Sequence, residues 1–191
     1  DDVYLRGGVS VDQGYRQLRG EDGYFDRAER EGTVSGGITL REPGVLLRGE
    51  EASYSANSGE ASIRDSEFVL HEQHLNGSAA QLRRAADGTL YIHDGRVSYC
   101  APDDEEWAMR ADSIKLDLVE GLGTATGAKL DVAGVPVLYL PWVRFPLDDR
   151  RRTGLLWPDI SSDSNGGLDL AVPVYLNLAP NYDALYTPRF I

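Results

Sequence analysis

Histidines and one acidic run are the side chains of this sequence that could hold a metal ion. The histidines are His71, His74 and His93, and the first two are separated by only two other residues. On a strand, that spacing places the two imidazoles on opposite faces, which makes a poor chelate. The acidic run 103–106 is either a weak calcium site or a solvated turn. We therefore predict no metal site.

Nucleophilic and acid–base catalysis need residues in a defined relation, and the sequence offers none. Serine, aspartate and histidine all occur, but no nucleophile elbow or triad order is present. No two carboxylates stand in the paired relation that glycoside hydrolysis requires. We therefore predict no catalytic residue and no cofactor.

The amino-acid composition excludes further classes of protein. The 191 residues include 19 Lys+Arg and 31 Asp+Glu, which gives a formal net charge of −12. Such acidity argues against general nucleic-acid binding, because phosphates are neutralised by basic patches. Hydrophobic residues make up 41% of the chain, which is ordinary for a globular protein. No stretch approaches the roughly 18 apolar residues of a membrane helix.

Short runs of alternating apolar and polar residues fill the first two thirds of the chain, and they predict half-buried strands. The tetrapeptide Leu-Arg-Gly-Glu at 18–21 recurs at 47–50. Four strand cores recur at nearly the same spacing, beginning at Val9, Ile38, Phe68 and Val97. A period of roughly 30 residues indicates stacked β units that bury one apolar face together. The expected product is an elongated two-sheet structure, either a jellyroll or a β-helix.

The apolar positions of these strands should form one continuous inner strip. The strip comprises Val9, Val11, Ile38, Leu40, Phe68, Leu70, Val97 and Tyr99, continued by Ile114, Leu116 and Leu130. One interpretation is a closed core. The other is an open groove that accepts acyl chains, in which each buried methylene contributes about 0.8 kcal/mol.

The last part of the chain, from Phe145 onward, changes character. Aromatic-rich segments of about ten residues are separated by turns, the weak signature of outer-membrane barrel strands. The chain ends on an apolar strand, so we expect a fragment of a longer protein. The basic run Arg150, Arg151 and Arg152 either contacts lipid phosphates at the mouth of the barrel or forms a charged hinge between domains.

Four segments resemble one known family in their order and spacing: 99–107, 135–141, 145–158 and 177–189. They are similar to the LPS-assembly protein LptD (OstA) family of Gram-negative outer membranes. The resemblance implies an all-β chain with a periplasmic β-jellyroll of stacked antiparallel strands at 1–141. A hinge at 142–154 and the first strands of an outer-membrane β-barrel at 155–191 would follow.

The resemblance also implies a function and several site residues. Lipopolysaccharide would pass from the periplasmic bridge protein LptA, docked at the N-terminal edge strand, through the jellyroll groove and out by a lateral gate at Pro158 and Pro173. The barrel would bind the lipoprotein LptE, and Cys100 would form a disulfide with a barrel cysteine outside this chain. The cell outer membrane is the implied location, with 1–141 in the periplasm. The alternative is a soluble β-helix that binds carbohydrate or acts as an adhesin.

Overall fold

Ten antiparallel strands form one continuous sheet over the first part of the chain. The computed structural model describes residues 2–72, 74–98, 107–148, 150–156, 158–162 and 168–190. The strands of the sheet are β1 (Val3–Gln13), β2 (Arg16–Asp26), β3 (Glu31–Glu42), β4 (Val45–Ser55), β5 (Ala61–Leu70), β6 (Leu75–Arg84), β7 (Leu90–Ser98), β8 (Trp107–Asp117), β9 (Leu122–Val132) and β10 (Val135–Pro146). Their order in the sheet is their order in the chain. This all-β antiparallel architecture is consistent with a jellyroll and confirms the predicted fold class, although the repeats form one continuous sheet and not the two sheets that the pattern predicted.

The repeat in the sequence corresponds to one pair of long strands. The pairs β1–β2, β3–β4, β5–β6 and β7–β8 each form one repeat. The sequence pattern predicted two or three short strands per repeat, whereas the structure contains two strands of 9 to 12 residues. The difference has a physical cause, because β1, β3, β5 and β7 each contain a left-handed residue near the middle, where the strand bends. The bend interrupts the two-residue alternation and makes one strand read as two.

In each repeat, a left-handed residue recurs at the same place in the first strand of the pair, at an even spacing along the chain. The φ angle is 83° at Gly7, 82° at Gly36, and 47° at both Asp65 and Asp94. We call these four residues the bend column. Glycine adopts this conformation freely, and aspartate is among the residues that tolerate it. The pairing register shifts beside Gly7 and Gly36, as expected where an inserted residue bends a strand.

One row of mainly apolar residues crosses all ten strands at opposed register positions. This long apolar row is Val11, Leu18, Leu40, Leu47, Phe68, Gly77, Val97, Met109, Leu130 and Leu138. Gly77 has no side chain because the space is occupied. A Cβ atom there would lie 2.8 Å from Cζ of Phe68 and would clash with the carbonyl oxygen of Arg96. The face that carries this row is the inner face, and its buried side chains form the main core.

Six short strands follow the ten-stranded sheet and form two small antiparallel sheets. They are β11 (Gly154–Leu155), β12 (Asp159–Ser162), β13 (Leu168–Ala171), β14 (Val174–Ala179), β15 (Tyr182–Tyr186) and β16 (Arg189–Phe190). One sheet has the order β11-β14-β15, and the other has the order β12-β13-β16. The assignment of 155–191 to the first barrel strands therefore stays a prediction.

Two local predictions differ from the structure. β10 continues to Pro146, past the predicted end of the jellyroll at 141, because its apolar positions still pair with β9. The first barrel strands are predicted from residue 155 onward, and the apolar runs 155–158 and 170–173 would supply them. Neither run forms a single strand, since β11 ends at Leu155 and β13 ends at Ala171. No helix in the described part of the chain is long and apolar enough to cross a membrane.

Candidate functional site

The inner face holds the predicted lining residues that the structure describes. Most of them are buried: Val9, Ile38, Phe68, Val97, Ile114, Leu116 and Leu130. Leu40 and Leu70 are half-buried and pack against the main core. Val11 differs, because its side chain is 51% exposed. Tyr99 and Cys100 lie outside the described residues, so their predicted roles stay predictions.

The repeat places Val9 and Ile38 in a different row from Phe68 and Val97. Leu40, rather than Ile38, lies in register with Leu47 and Phe68. Ile38 instead pairs with Gly49, one inner position nearer the bend column. The shift arises because β3 carries two left-handed glycines at its bend, whereas β5 carries the single Asp65. All these side chains still share the inner face.

A second apolar row on the other side of the bend column was largely missed in the sequence. It runs through Leu5, Gly23, Val34, Ala52, Ile63, Leu82, Ile92, Ile114, Ala125 and Val143. Only Ile114 of this row was among the predicted lining residues. The sequence carried a usable signal, since Val34, Ile63 and Ile92 recur with the period of the repeat.

Exposure along the inner face changes from one end of the sheet to the other. At the β1 end, Leu5 and Val11 are each 51% exposed and Phe25 is 40% exposed. From β3 onward the inner positions merge into the core that contains Ile38, Phe68 and other buried side chains. The apolar strip is therefore open to solvent beside the free edge of β1 and covered farther along the sheet.

An apolar cleft lies at the opposite end, where the ten-stranded sheet meets the strands that follow it. Its walls are Trp107, Met109, Ala128, Leu130, Leu138, Leu140, Val143, Phe145, Leu155, Leu156, Pro158 and Val172. Met109, Leu130 and Leu138 are also members of the long apolar row. Leu170 and Val172 are buried against Leu130 in the same region. We call this feature the exit cleft, because the inner apolar face continues into it.

The three consecutive arginines point to two different neighbours. Arg150 donates from Nη2 to the carbonyl oxygen of Val119 at 2.9 Å, and Arg152 lies 3.5 Å from a carboxylate oxygen of Glu120. Both partners belong to the turn between β8 and β9. Arg151 instead faces the β14–β15 hairpin and donates to the Tyr175 hydroxyl at 2.9 Å.

The electrostatics of this segment are those of paired groups. A hydrogen bond from Arg150 lowers the pKa of Asp148, and the same contact raises the pKa of the Arg150 guanidinium. The hydrogen bond to Tyr175 is the main cause that raises the pKa of Arg151. These contacts favour the hinge interpretation of the arginine run over a free phosphate site.

A proline lies in each of three gaps between consecutive short strands. Pro158 stands between β11 and β12, Pro173 between β13 and β14, and Pro188 between β15 and β16. The amide of Leu156 donates to the carbonyl of Pro173 at 2.8 Å, and the amide of Val172 donates to the carbonyl of Pro188 at 3.0 Å. Sequence reasoning singled out the first two prolines and missed Pro188. The available signal was the even spacing of the three prolines along the chain.

No protein-family model matches the chain. Curated relatives do match over nearly its whole length. The chain is 43% identical over 187 residues to the LPS-assembly protein LptD of Saccharophagus degradans, which covers 98% of this chain and 22% of that protein. The same named protein of Chromohalobacter salexigens is 42% identical over 196 residues, covering 99% of this chain and 24% of the relative.

A third relative, the LptD of Pseudomonas savastanoi pv. phaseolicola, is 37% identical over 187 residues, with 98% of this chain and 20% of the relative covered. The chain belongs to the LPS-assembly protein LptD family. It spans between about a fifth and a quarter of the length of these relatives. The resemblance found in segments 99–107, 135–141, 145–158 and 177–189 is thereby confirmed, and it extends over the repeats as well. All three relatives carry the name LPS-assembly protein.

Proposed function

We propose that this chain receives lipopolysaccharide from a periplasmic donor and passes its acyl chains toward the outer membrane. The observation that carries the proposal is the inner apolar face. It is exposed beside β1, runs across ten strands, and continues into the exit cleft. The curated relatives are named for the assembly of this same lipid. The chain would act as a conduit, not as an enzyme.

Burial of acyl chains must supply the affinity. Each methylene removed from water contributes about 0.8 kcal/mol, so a single acyl chain can outweigh considerable unfavourable electrostatics. The chain carries a formal net charge of −12. Long-range electrostatics therefore oppose the phosphates of lipid A rather than attract them. The lipid would enter tails first, with its phosphorylated headgroup kept in solvent.

The edge of β1 is the proposed entry. β1 is the first strand of the sheet order, so among the described residues one side of its backbone has no paired strand. Such an edge accepts a strand from another sheet by β-augmentation. The proposed donor is the bridge protein LptA, whose own apolar strip would then continue into that of this chain. Residues 1–141 would lie in the periplasm.

The proposed exit is a lateral gate at Pro158 and Pro173, next to the exit cleft. A proline has no N–H group, so it weakens strand pairing where it stands. Residues 155–191 would belong to a barrel in the outer membrane, with LptE bound to that barrel. The disulfide proposed for Cys100 would tie the jellyroll to the same barrel.

Site-specific photocrosslinking tests the groove. A photoreactive residue at Leu40 or Val11, on the inner face, should capture lipopolysaccharide in cells. The adjacent positions Thr39 and Ser10 are matched controls, because neighbouring side chains on a strand point to opposite faces. Capture at the inner pair alone supports the proposal. Equal capture at both pairs, or at neither, would refute a lipid path along this face.

A further inference from the structure

The arginine run makes an alternating set of contacts. Arg150 binds the carboxylate of Asp148 through Nε at 2.7 Å and the carbonyl of Val119 through Nη2 at 2.9 Å. Arg152 lies 3.5 Å from a carboxylate oxygen of Glu120 in the same β8–β9 turn. These two arginines therefore hold the segment to the ten-stranded sheet.

Arg151, between them, is directed to the other side. Its Nε donates to the Tyr175 hydroxyl at 2.9 Å, its Nη1 to the Pro180 carbonyl at 2.7 Å, and its Nη2 to an Asp183 carboxylate oxygen at 2.8 Å. The Tyr175 hydroxyl also donates to that oxygen of Asp183, at 2.9 Å. All three guanidinium nitrogens are thus committed to β14, β15 and the turn that joins them.

Backbone groups reinforce both sides of the segment. The amide of Leu147 donates to the carbonyl of Gly121 at 3.0 Å, which fixes the start of the segment to the β8–β9 turn. On the far side, the Asn177 side chain donates to the carbonyl of Arg151 at 2.9 Å. The Asn177 amide donates to the hydroxyl of Thr153, also at 2.9 Å. The short segment is therefore bonded to two separate sheets.

We propose that Arg150, Arg151 and Arg152 form a clamp that fixes the β14–β15 hairpin relative to the β8–β9 turn and so holds the walls of the exit cleft at a fixed separation. The cleft has walls on both sides of this clamp, with Met109 and Leu130 from the ten-stranded sheet and Leu155 and Val172 from the strands that follow. A rotation between the two parts would separate these walls. The inference rests on the proposed function for its purpose, although the geometry it concerns can be measured without transport.

The clamp differs from a phosphate site in what it requires of the arginine side chain. Three of the five N–H donors of Arg151 already make hydrogen bonds, and a phosphate that used the same donors would have to displace those bonds. The ammonium group of a lysine can still attract a phosphate. It cannot make the three hydrogen bonds that the planar guanidinium group of Arg151 makes. Arg151→Lys therefore separates the two roles.

The test is a distance measurement in the full-length protein in lipid nanodiscs. Spin labels are attached through noncanonical amino acids at Val119 and Leu178, whose side chains are 76% and 65% exposed, and pulsed electron spin resonance gives the distance distribution. The parent should give one narrow peak. Both Arg151→Lys and Arg151→Gln should lose it to a broad or bimodal distribution. Asp183→Asn weakens the same bridge from the hairpin side and should broaden the distribution as well.

The control is Arg144→Lys, at an exposed position of β10, which should keep the narrow peak. An unchanged distribution in both Arg151 variants would overturn the clamp. So would broadening in Arg151→Gln together with a narrow peak in Arg151→Lys, because charge alone would then suffice. Crosslinking of lipopolysaccharide at Leu40 is read separately in the parent protein. Its absence would count against the proposed function and leave the distance result standing.

Discussion

Pro173 accepts a hydrogen bond from the amide of Leu156 at 2.8 Å and has no N–H with which to return one. The two residues stand opposite each other when the register of Gly154–Tyr175 and Leu155–Val174 is continued. In antiparallel strands, such a hydrogen-bonded pair normally exchanges two bonds. Pro188 stands in the same relation to Val172, with one bond at 3.0 Å. At each of these two neighbouring residue pairs, one backbone hydrogen bond is therefore made in place of two.

The first prediction concerns this line of weakened pairing. Pro173→Ala supplies the missing N–H, and the restored bond should strengthen the pairing with Leu156 by about 1 kcal/mol. If the strands must part for lipid to leave, export of lipopolysaccharide to the cell surface should slow. Combination with Pro158→Ala should slow it further while barrel assembly stays normal. Pro136→Ala, in β10, is the matched control. Normal export by the double variant would mean that these prolines only end strands.

The second prediction concerns the free edge of β1. Leu5→Pro removes a backbone donor and should weaken β-augmentation, so the affinity for purified LptA should fall. Leu5→Val keeps the donor and should bind LptA like the parent. Circular dichroism verifies that both variants keep their strands. Undiminished binding of LptA by the folded Leu5→Pro variant would place the docking edge elsewhere.

The third prediction concerns the bend column. Asp65 has a φ of 47°, where a β-branched residue is strained. Asp65→Val should lower the free energy of unfolding by about 1–2 kcal/mol, whereas Asp65→Gly should cost little or stabilise the protein. Glu67→Val, at a nearby position of the same strand, is the control and should change stability much less. Urea denaturation measures all three. Equal losses in Asp65→Val and Glu67→Val would show that the backbone at the bend is unstrained.

The fourth prediction concerns pH. The hydrogen bond from Arg150 holds the pKa of Asp148 below its ordinary value. A carboxyl whose pKa is lower in the folded state stabilises the fold above its unfolded pKa of about 4, and loses that contribution as the pH falls through the folded value. Asp148→Asn should therefore be less stable than the parent at pH 7, and the gap should close on acidification below about 4.

Unfolding curves recorded between neutral and acid pH test this directly. Asp22→Asn, an exposed aspartate on β2, is the control and should follow the parent more closely. A gap between Asp148→Asn and the parent that does not change with pH would mean that the carboxylate charge contributes nothing to the stability of the turn.

The repeat in the sequence predicted much of the fold because every unit buries the same face. The stacking of repeated β units follows from the recurrence of the strand cores at Val9, Ile38, Phe68 and Val97. The second buried row, which includes Ile63 and Ile92, was missed. The sequence pattern could not predict which apolar row of the inner face each side chain belongs to. A second left-handed glycine beside Gly36 shifts Ile38 by one inner position, and alternation alone does not reveal how many residues a bend inserts. The bend column was not recognised in the sequence, because two of its four positions are aspartates, Asp65 and Asp94, and not glycines.

The candidate site was less predictable at its exit. The arginine run was identified in the sequence. Whether it is a phosphate site or a hinge between domains depends on which groups surround the guanidinium side chains. Those groups come from the β8–β9 turn and from the β14–β15 hairpin, which are distant from Arg151 in sequence. The residues that line the exit cleft likewise come from four strands and the segments beside them. No local sequence pattern could therefore predict the cleft.

The matching of sheet order to chain order has a consequence for how the protein is made. Every pairing in the ten-stranded sheet joins strands that are consecutive in sequence. Such local pairing keeps contact order low and avoids long loop closures, which favours rapid folding. A polypeptide that emerges with its amino-terminal side first can add each new strand to the one before it. The growing edge is then always the newest strand of the sheet, and the other edge of β1 is not used in any of these pairings.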